Sequence, residues 1–161
     1  MGIFLTYNLK AEQMSKDIFS KIEDFNRIFR TSEASTLKDL INFKDILDDE
    51  ISEGEDLIAK IEDKFSSARP REDITLNIDE RVELADWLGD VAYYCISQAV
   101  KWGLPLKEVM DIIHESNMSK LDDSGKPIVN EIGKIGKGPN YKKPEAAIKY
   151  FLLTGKYEGL K

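Results

Sequence analysis

Two pairs of carboxylates, Glu50 with Glu53 and Glu83 with Asp86, stand at i, i+3 spacing in this chain. On a helix such pairs project from one face with their Cβ atoms about 5–6 Å apart, so two neighbouring helices carrying one pair each can surround one or two ions. Oxygen donors with no histidine or cysteine beside them suit a hard cation, Mg²⁺ or Mn²⁺, rather than zinc, and Mg²⁺ usually keeps room for water and for substrate phosphates. The pairs also sit where apolar residues are expected. Leu40, Phe43, Leu47, Glu50, Gly54, Leu57, Ile61 and Phe65 recur at three- and four-residue steps, which is one helix face, and Glu50 lies inside that stripe with Glu53 beside it. Glu83, Asp86 and Asp90 line one edge of a second arc made of Leu84, Trp87, Leu88, Val91, Cys95 and Trp102. Ionised carboxylates facing a core need a partner. The basic residues of these stretches, Lys38, Lys44, Lys60, Lys64, Arg81 and Lys101, fall mostly outward or near the ends, which leaves a divalent ion as the simpler neutraliser.

Four main helices must position these groups. The apolar spacing predicts helices over about Ala11–Arg30, over Thr36–Phe65 with Thr36 and Asp39 placed as a capping box, and over Asp79–Trp102 with Gly103 as the stop. Pro105 opens the fourth, with Leu106, Met110 and Ile113 on its apolar face and Asn117 and Lys120 continuing that face. Gly54 marks either a kink or a place where a neighbouring helix or a phosphate comes close. Residues 66–77 read as a loop. The Gly- and Lys-rich segment from Asp122 to Pro144 reads as a mobile arm whose apolar pairs suit a small β-hairpin, followed by a short last helix from Pro144 to about Leu153 and a fraying tail. The expected fold is an all-α bundle forming a single domain over residues 1–161.

With 161 residues and 42% hydrophobic content the chain can bury one real core. Its net charge of −7 and pI near 4.9 argue against broad nucleic-acid or anionic-membrane binding, so a polyanionic ligand has to be met locally. Cys95, the single cysteine, forms no internal disulfide and reads as a core residue. No apolar run approaches the roughly 20 residues of a membrane span, and the N-terminal residues lack an export pattern, so a cytoplasmic location is expected. Ile41, Ile51, Ile58, Ala92 and Ile96 fall outside the main arcs and give more apolar surface than one small bundle covers, which predicts a homodimer or a homotetramer.

The motifs resemble those of the all-α nucleoside triphosphate pyrophosphohydrolases of MazG type. Asp49-Glu50-Ile51-Ser52-Glu53 is similar to that superfamily's E-E-x-x-E, with aspartate replacing the opening glutamate, and Glu83-Leu84-Ala85-Asp86 is similar to its E-x-x-D. His114-Glu115-Ser116-Asn117-Met118-Ser119-Lys120-Leu121, Asp123-Ser124-Gly125-Lys126-Pro127-Ile128 and Lys137-Gly138-Pro139-Asn140-Tyr141 resemble a MazG-like subgroup of bacteria and phages. Phe25-Asn26-Arg27-Ile28-Phe29 resembles that subgroup's F-H-x-x-F, with asparagine for histidine. The resemblance implies Mg²⁺-dependent (or Mn²⁺-dependent) cleavage of a (deoxy)nucleoside triphosphate between its α- and β-phosphates, giving monophosphate and pyrophosphate, in nucleotide-pool control. Under it Glu50, Glu53, Glu83 and Asp86 hold metal, Glu50 or Glu53 also orients the water, Asn117 and Lys120 hold the phosphate tail, and Lys137 closes over it. Asn26 meets the edge of the base, and Phe25 or Trp87 stacks on it or packs in the core. Two other functions compete: phosphoribosyl-ATP pyrophosphohydrolase, with the same metal logic, and a non-catalytic module that binds nucleotide or metal.

Overall fold

An aspartate opens the first helix: Asp17 accepts the Ser20 backbone N–H at 2.9 Å, and α1 runs Ile18–Ile28. The computed structural model describes residues 17–29, 33–34, 36–64 and 75–160. The expected helical start at Ala11, the end at Arg30, Phe65 and most of the 66–77 loop lie outside the described residues. α2 spans Leu37–Lys64, and its capping box is formed as its sequence predicts, with the Thr36 N–H on Asp39 at 2.9 Å and the Asp39 N–H on Thr36 Oγ1 at 3.4 Å. α3 spans Ile78–Lys101 behind a second capping box, Asn77 with Glu80. Both α1 and α2 pack on α3. Ile22, fully buried, and Ala99 and Leu57 are core contributors from each of the three helices.

The described chain divides into two compact units, one ending at Leu104 and the other beginning at Pro105. The second holds α4, Leu106–Met118, and α5, Glu145–Thr154, which ends on Gly155 in the left-handed conformation. All five described helices and the absence of any extended strand among the described residues make the fold all-α.

Two expectations about the second unit are corrected, and one is met in part. The buried stripe of α4 runs through Ile112 and Ser116, while Met110 and Ile113 are exposed. It is rotated because the Ser116 hydroxyl turns inward to donate to the Lys142 carbonyl at 2.7 Å. The arm forms only a minimal hairpin: of two five-residue loops eight residues apart, Asp122–Lys126 and Asn130–Lys134, the second is closed by one antiparallel bridge between Val129 and Ile135. In each loop an Asx oxygen accepts two backbone N–H groups: Asp122 takes Ser124 and Lys126, and Asn130 takes Ile132 and Lys134. Gly125 and Gly133 close the loops at φ +76° and +77°, values a side chain would strain. Thus D-x-x-G-K and N-x-x-G-K form a short repeat that no apolar periodicity reveals. The tail, finally, does not fray over its described residues: Leu160 is buried, and its carbonyl accepts Lys142 Nζ at 2.9 Å.

Candidate active site

The first unit places the acidic pairs by means of one tryptophan. Trp87 lies over the turn of α2 between Glu50 and Gly54, its indole N–H donating to the Glu50 carbonyl at 2.6 Å. A Cβ added at Gly54 would sit 2.4 Å from Trp87 Cζ2, so the glycine marks close helix approach, one of its two sequence readings. The indole therefore sets the separation of the two carboxylate rows and belongs to the helix interface. Glu53, Asp56, Lys60, Glu83, Asp86 and Asp90 line an open pocket of about 320 Å³ between α2 and α3.

Glu50 alone among the four predicted ligands is buried, at 7% exposure, and its Oε2 has no hydrogen-bond partner. Burial pushes its carboxyl above the ordinary range, and the nearby charges of Glu53, Asp90 and Asp49 push the same way. Glu53 and Asp86 are exposed and Glu83 is half-buried, so the expectation that both pairs face the core is corrected. The reason is geometric: the helices meet across Gly54 and Trp87, and the outer carboxylates open onto the pocket beside that contact. A second correction concerns cations. Lys60 reaches Glu83 at 2.5 Å and Lys64 reaches buried Glu80 at 2.7 Å. Lys60 stands two helical turns after Glu53, on the same face, and that spacing was the signal for it. Lys64, with the Asn77 N–H, holds the Glu80 carboxyl below its ordinary value.

The donor chemistry fits a hard cation. Glu50 Oε2 is an orphaned, nearly buried oxygen in a set of carboxylates, and a charge there is normally met by a cation or relieved by protonation. As they stand, no three Asp, Glu, His or Cys groups among the described residues converge to hold an ion, and Glu83 is turned toward Lys60. Convergence requires that exposed ion pair to open, a small cost for a surface pair.

Asn26, read as a base contact, is buried between α1 and α3. Its amide nitrogen donates to the Ser97 carbonyl at 3.1 Å, and its oxygen accepts the Ser97 hydroxyl at 2.8 Å. Contact with a base edge would require that latch to open. Phe25 packs on Phe29 with ring centroids 4.4 Å apart and edge-on to Tyr93 at 5.5 Å.

Within the second unit three predicted phosphate contacts come together. Lys120 Nζ donates to Asn117 Oδ1 at 2.7 Å, and the Gly138 N–H donates to the Lys120 carbonyl at 3.2 Å, which brings the residue after Lys137 onto that turn. Lys137 lies 4.6 Å over the Tyr141 ring. The two motif segments are laced by Lys142 N–H to Ser119 Oγ at 2.9 Å and Asn140 Nδ2 to Asp123 at 2.7 Å, so the arm is tied down rather than mobile.

No family model matches the chain. No curated protein matches it either. Among solved structures it is similar to that of a candidate NTP pyrophosphohydrolase from Exiguobacterium sp. 255-15, with 15% identity over 96% of this chain and 82% of that one and a TM-score of 0.46. A likeness this loose assigns neither family nor activity. No helix among the described residues is long and apolar enough to cross a membrane.

Proposed function

We propose that the chain is a hydrolase that cleaves a nucleoside or deoxynucleoside triphosphate to the monophosphate and pyrophosphate, with Mg²⁺ or Mn²⁺ as cofactor. The observation that carries this reading is Glu50: a carboxylate kept almost out of water, with an unpartnered oxygen, next to the acidic pocket of Glu53, Glu83 and Asp86. When bound, the cation would neutralise phosphate oxygens and lower the pKa of a water. Glu50, Glu53, Glu83 and Asp86 are assigned to hold it. Glu53, exposed on the pocket wall, is the carboxylate free to accept a proton from the attacking water, whereas Glu50 is fixed by burial. Lys60 is released when Glu83 turns inward. In the second unit the Asn117–Lys120 pair supplies a donor and a charge for phosphate, and Lys137 another charge.

The same reading takes the chain to be a cytoplasmic homodimer or homotetramer. Ile41, Ile51 and Ile58 on α2 and Val82 and Leu88 on α3 are each about half exposed, an apolar surplus that a second copy would cover.

The test is pyrophosphate release with Mg²⁺ across ribo- and deoxyribonucleoside triphosphates and phosphoribosyl-ATP, beside Glu53→Gln. Release from a triphosphate, lost in the variant, is expected. Turnover of phosphoribosyl-ATP alone would move the assignment to that substrate. Nucleotide binding without turnover would make the chain a non-catalytic module.

A further inference from the structure

A cavity of the second unit is lined by none of the residues assigned so far. It measures about 250 Å³, and its walls are Lys143 just before α5, one face of α5 with Ala146, Ala147 and Tyr150, and the returning tail, Tyr157 and Glu158. Residues 146, 147 and 150 share one face of the helix, and the two alanines leave the hollow. The tail is held against α4 and α5 at several points. The Tyr157 hydroxyl donates to Glu115, the Leu160 N–H donates to the same carboxylate at 3.4 Å, Lys142 Nζ holds the Leu160 carbonyl, and the Tyr150 hydroxyl donates to Glu158 at 2.7 Å. The walls are therefore formed before any ligand arrives.

Both tyrosines spend their hydroxyls on these bonds, yet they are 38% and 43% exposed. With the hydroxyls engaged, ring surface is what the two tyrosines can offer an occupant, a surface suited to a flat aromatic group. The volume lies just below the roughly 300–1,000 Å³ of drug-sized sites, enough for one ring system and not for a whole nucleotide. The wall carries two opposite charges, Lys143 and Glu158; Glu158 accepts the Tyr150 hydroxyl, and Lys143 is the charge that can meet an anion next to the occupant's ring. The backbone places Lys143 close to the predicted phosphate contacts. Lys142, adjacent to Lys143, is bonded through its N–H to Ser119 and through its carbonyl to Ser116, on either side of Asn117 and next to Lys120.

We propose that this cavity between α5 and the C-terminal tail is the nucleobase pocket of the chain, with Lys143 receiving the 5′-phosphate that leads toward Asn117 and Lys120. The proposal rests on the nucleotide reading above and names the part of the molecule that would select the base. The pairing of charges and rings favours a nucleoside monophosphate over a free nucleoside.

Calorimetric titration of the full chain in EDTA with AMP, GMP, CMP and UMP, and with the matching nucleosides, tests it. At least one monophosphate binds the wild type. Ala147→Leu fills the hollow and weakens that binding roughly 5- to 150-fold, the span expected for losing one base stack. Lys143→Gln, a surface change that leaves the fold alone, weakens the monophosphate and not its nucleoside. A melting curve for Ala147→Leu near that of the wild type shows that it is folded. Absence of binding by all four monophosphates at millimolar concentration, or affinities within twofold of wild type in both variants, overturns the proposal. Pyrophosphate release by the same proteins separates it from the functional reading: turnover with unchanged affinities sinks the pocket alone, and binding that Ala147→Leu abolishes, without turnover, sinks the hydrolase alone.

Discussion

Gly54→Ala should destabilise the protein even though alanine is the better helix former. The added Cβ would lie 2.4, 2.6 and 3.0 Å from three atoms of the Trp87 ring, against about 3.5–4.0 Å for a comfortable carbon contact, so the ring has to retreat by roughly 1 Å. It cannot retreat freely, because its N–H is bonded to the Glu50 carbonyl at 2.6 Å. Overpacking of this kind costs about 1–3 kcal/mol and the lost hydrogen bond about 0.5–1.5, while alanine returns about 0.8–1.0, leaving about 2 kcal/mol of destabilisation at mid-range. For a chain of this size that is a fall in Tm of about 4–8 °C. Thermal melts of wild type, Gly54→Ala, Trp87→Leu and the double variant measure it. Leucine leaves space for the new methyl, so the double variant should be more stable than the two single effects predict, with a coupling of about 0.5–3 kcal/mol. Gly54→Ala melting at or above the wild-type temperature, with additive effects in the double variant, would refute the claim that Trp87 sets the helix spacing.

Two pH predictions follow with opposite signs. Glu50 has a folded-state pKa above its unfolded one, so its contribution to stability is greatest below the ordinary carboxylate value and is lost as pH rises through the raised pKa. In EDTA near neutral pH, Glu50→Gln should therefore melt a few degrees higher than wild type, and the difference should vanish in acid; a variant that melts no higher at neutral pH would contradict the burial argument. Glu80 is the reverse case, its pKa depressed first by Lys64 and then by the Asn77 N–H, so its contribution is present above the ordinary value and disappears as pH falls through the lowered one. Lys64→Met should unfold at a higher pH than wild type in an acid titration followed by circular dichroism, and coincident curves would show that the Lys64–Glu80 bridge adds nothing.

Helices are visible in this sequence because burial imposes a period on it. Leu57 and the Thr36–Asp39 box stand where the pattern places them, and Glu50, an acid within an apolar stripe, is indeed buried. The pattern could not say how much of each stripe a neighbour covers, so Glu53 and Asp86, phased like Glu50, end in solvent. It also misread α4, where Ile112 and Ser116 rather than Met110 and Ile113 take the inner positions, the Ser116 hydroxyl donating to a backbone carbonyl 26 residues away. Contacts of that kind, like Asn26 with Ser97 and Glu115 with Tyr157, join residues 71 and 42 positions apart and leave no local trace. The arm was legible only in part, for the opposite reason. The apolar pair Val129 and Ile135 does meet, but most of the order of its two loops comes from Asx side chains and left-handed glycines and not from apolar alternation.

The two loops of the arm have a bearing on how the chain folds. Closing a loop costs conformational entropy that rises with its length, by about 0.6 kcal/mol for each doubling. The segment between α4 and α5 would be a long excursion if it had to be closed at once, yet Asp122 and Asn130 each gather only the next four residues, and the Val129–Ile135 bridge then spans a turn already made. Long-range search is replaced by two short ones and a staple. Gly138 and Asn140 can then dock a piece that local contacts have already shaped onto the end of α4, so that little of this unit's assembly waits on pairing between residues distant in sequence.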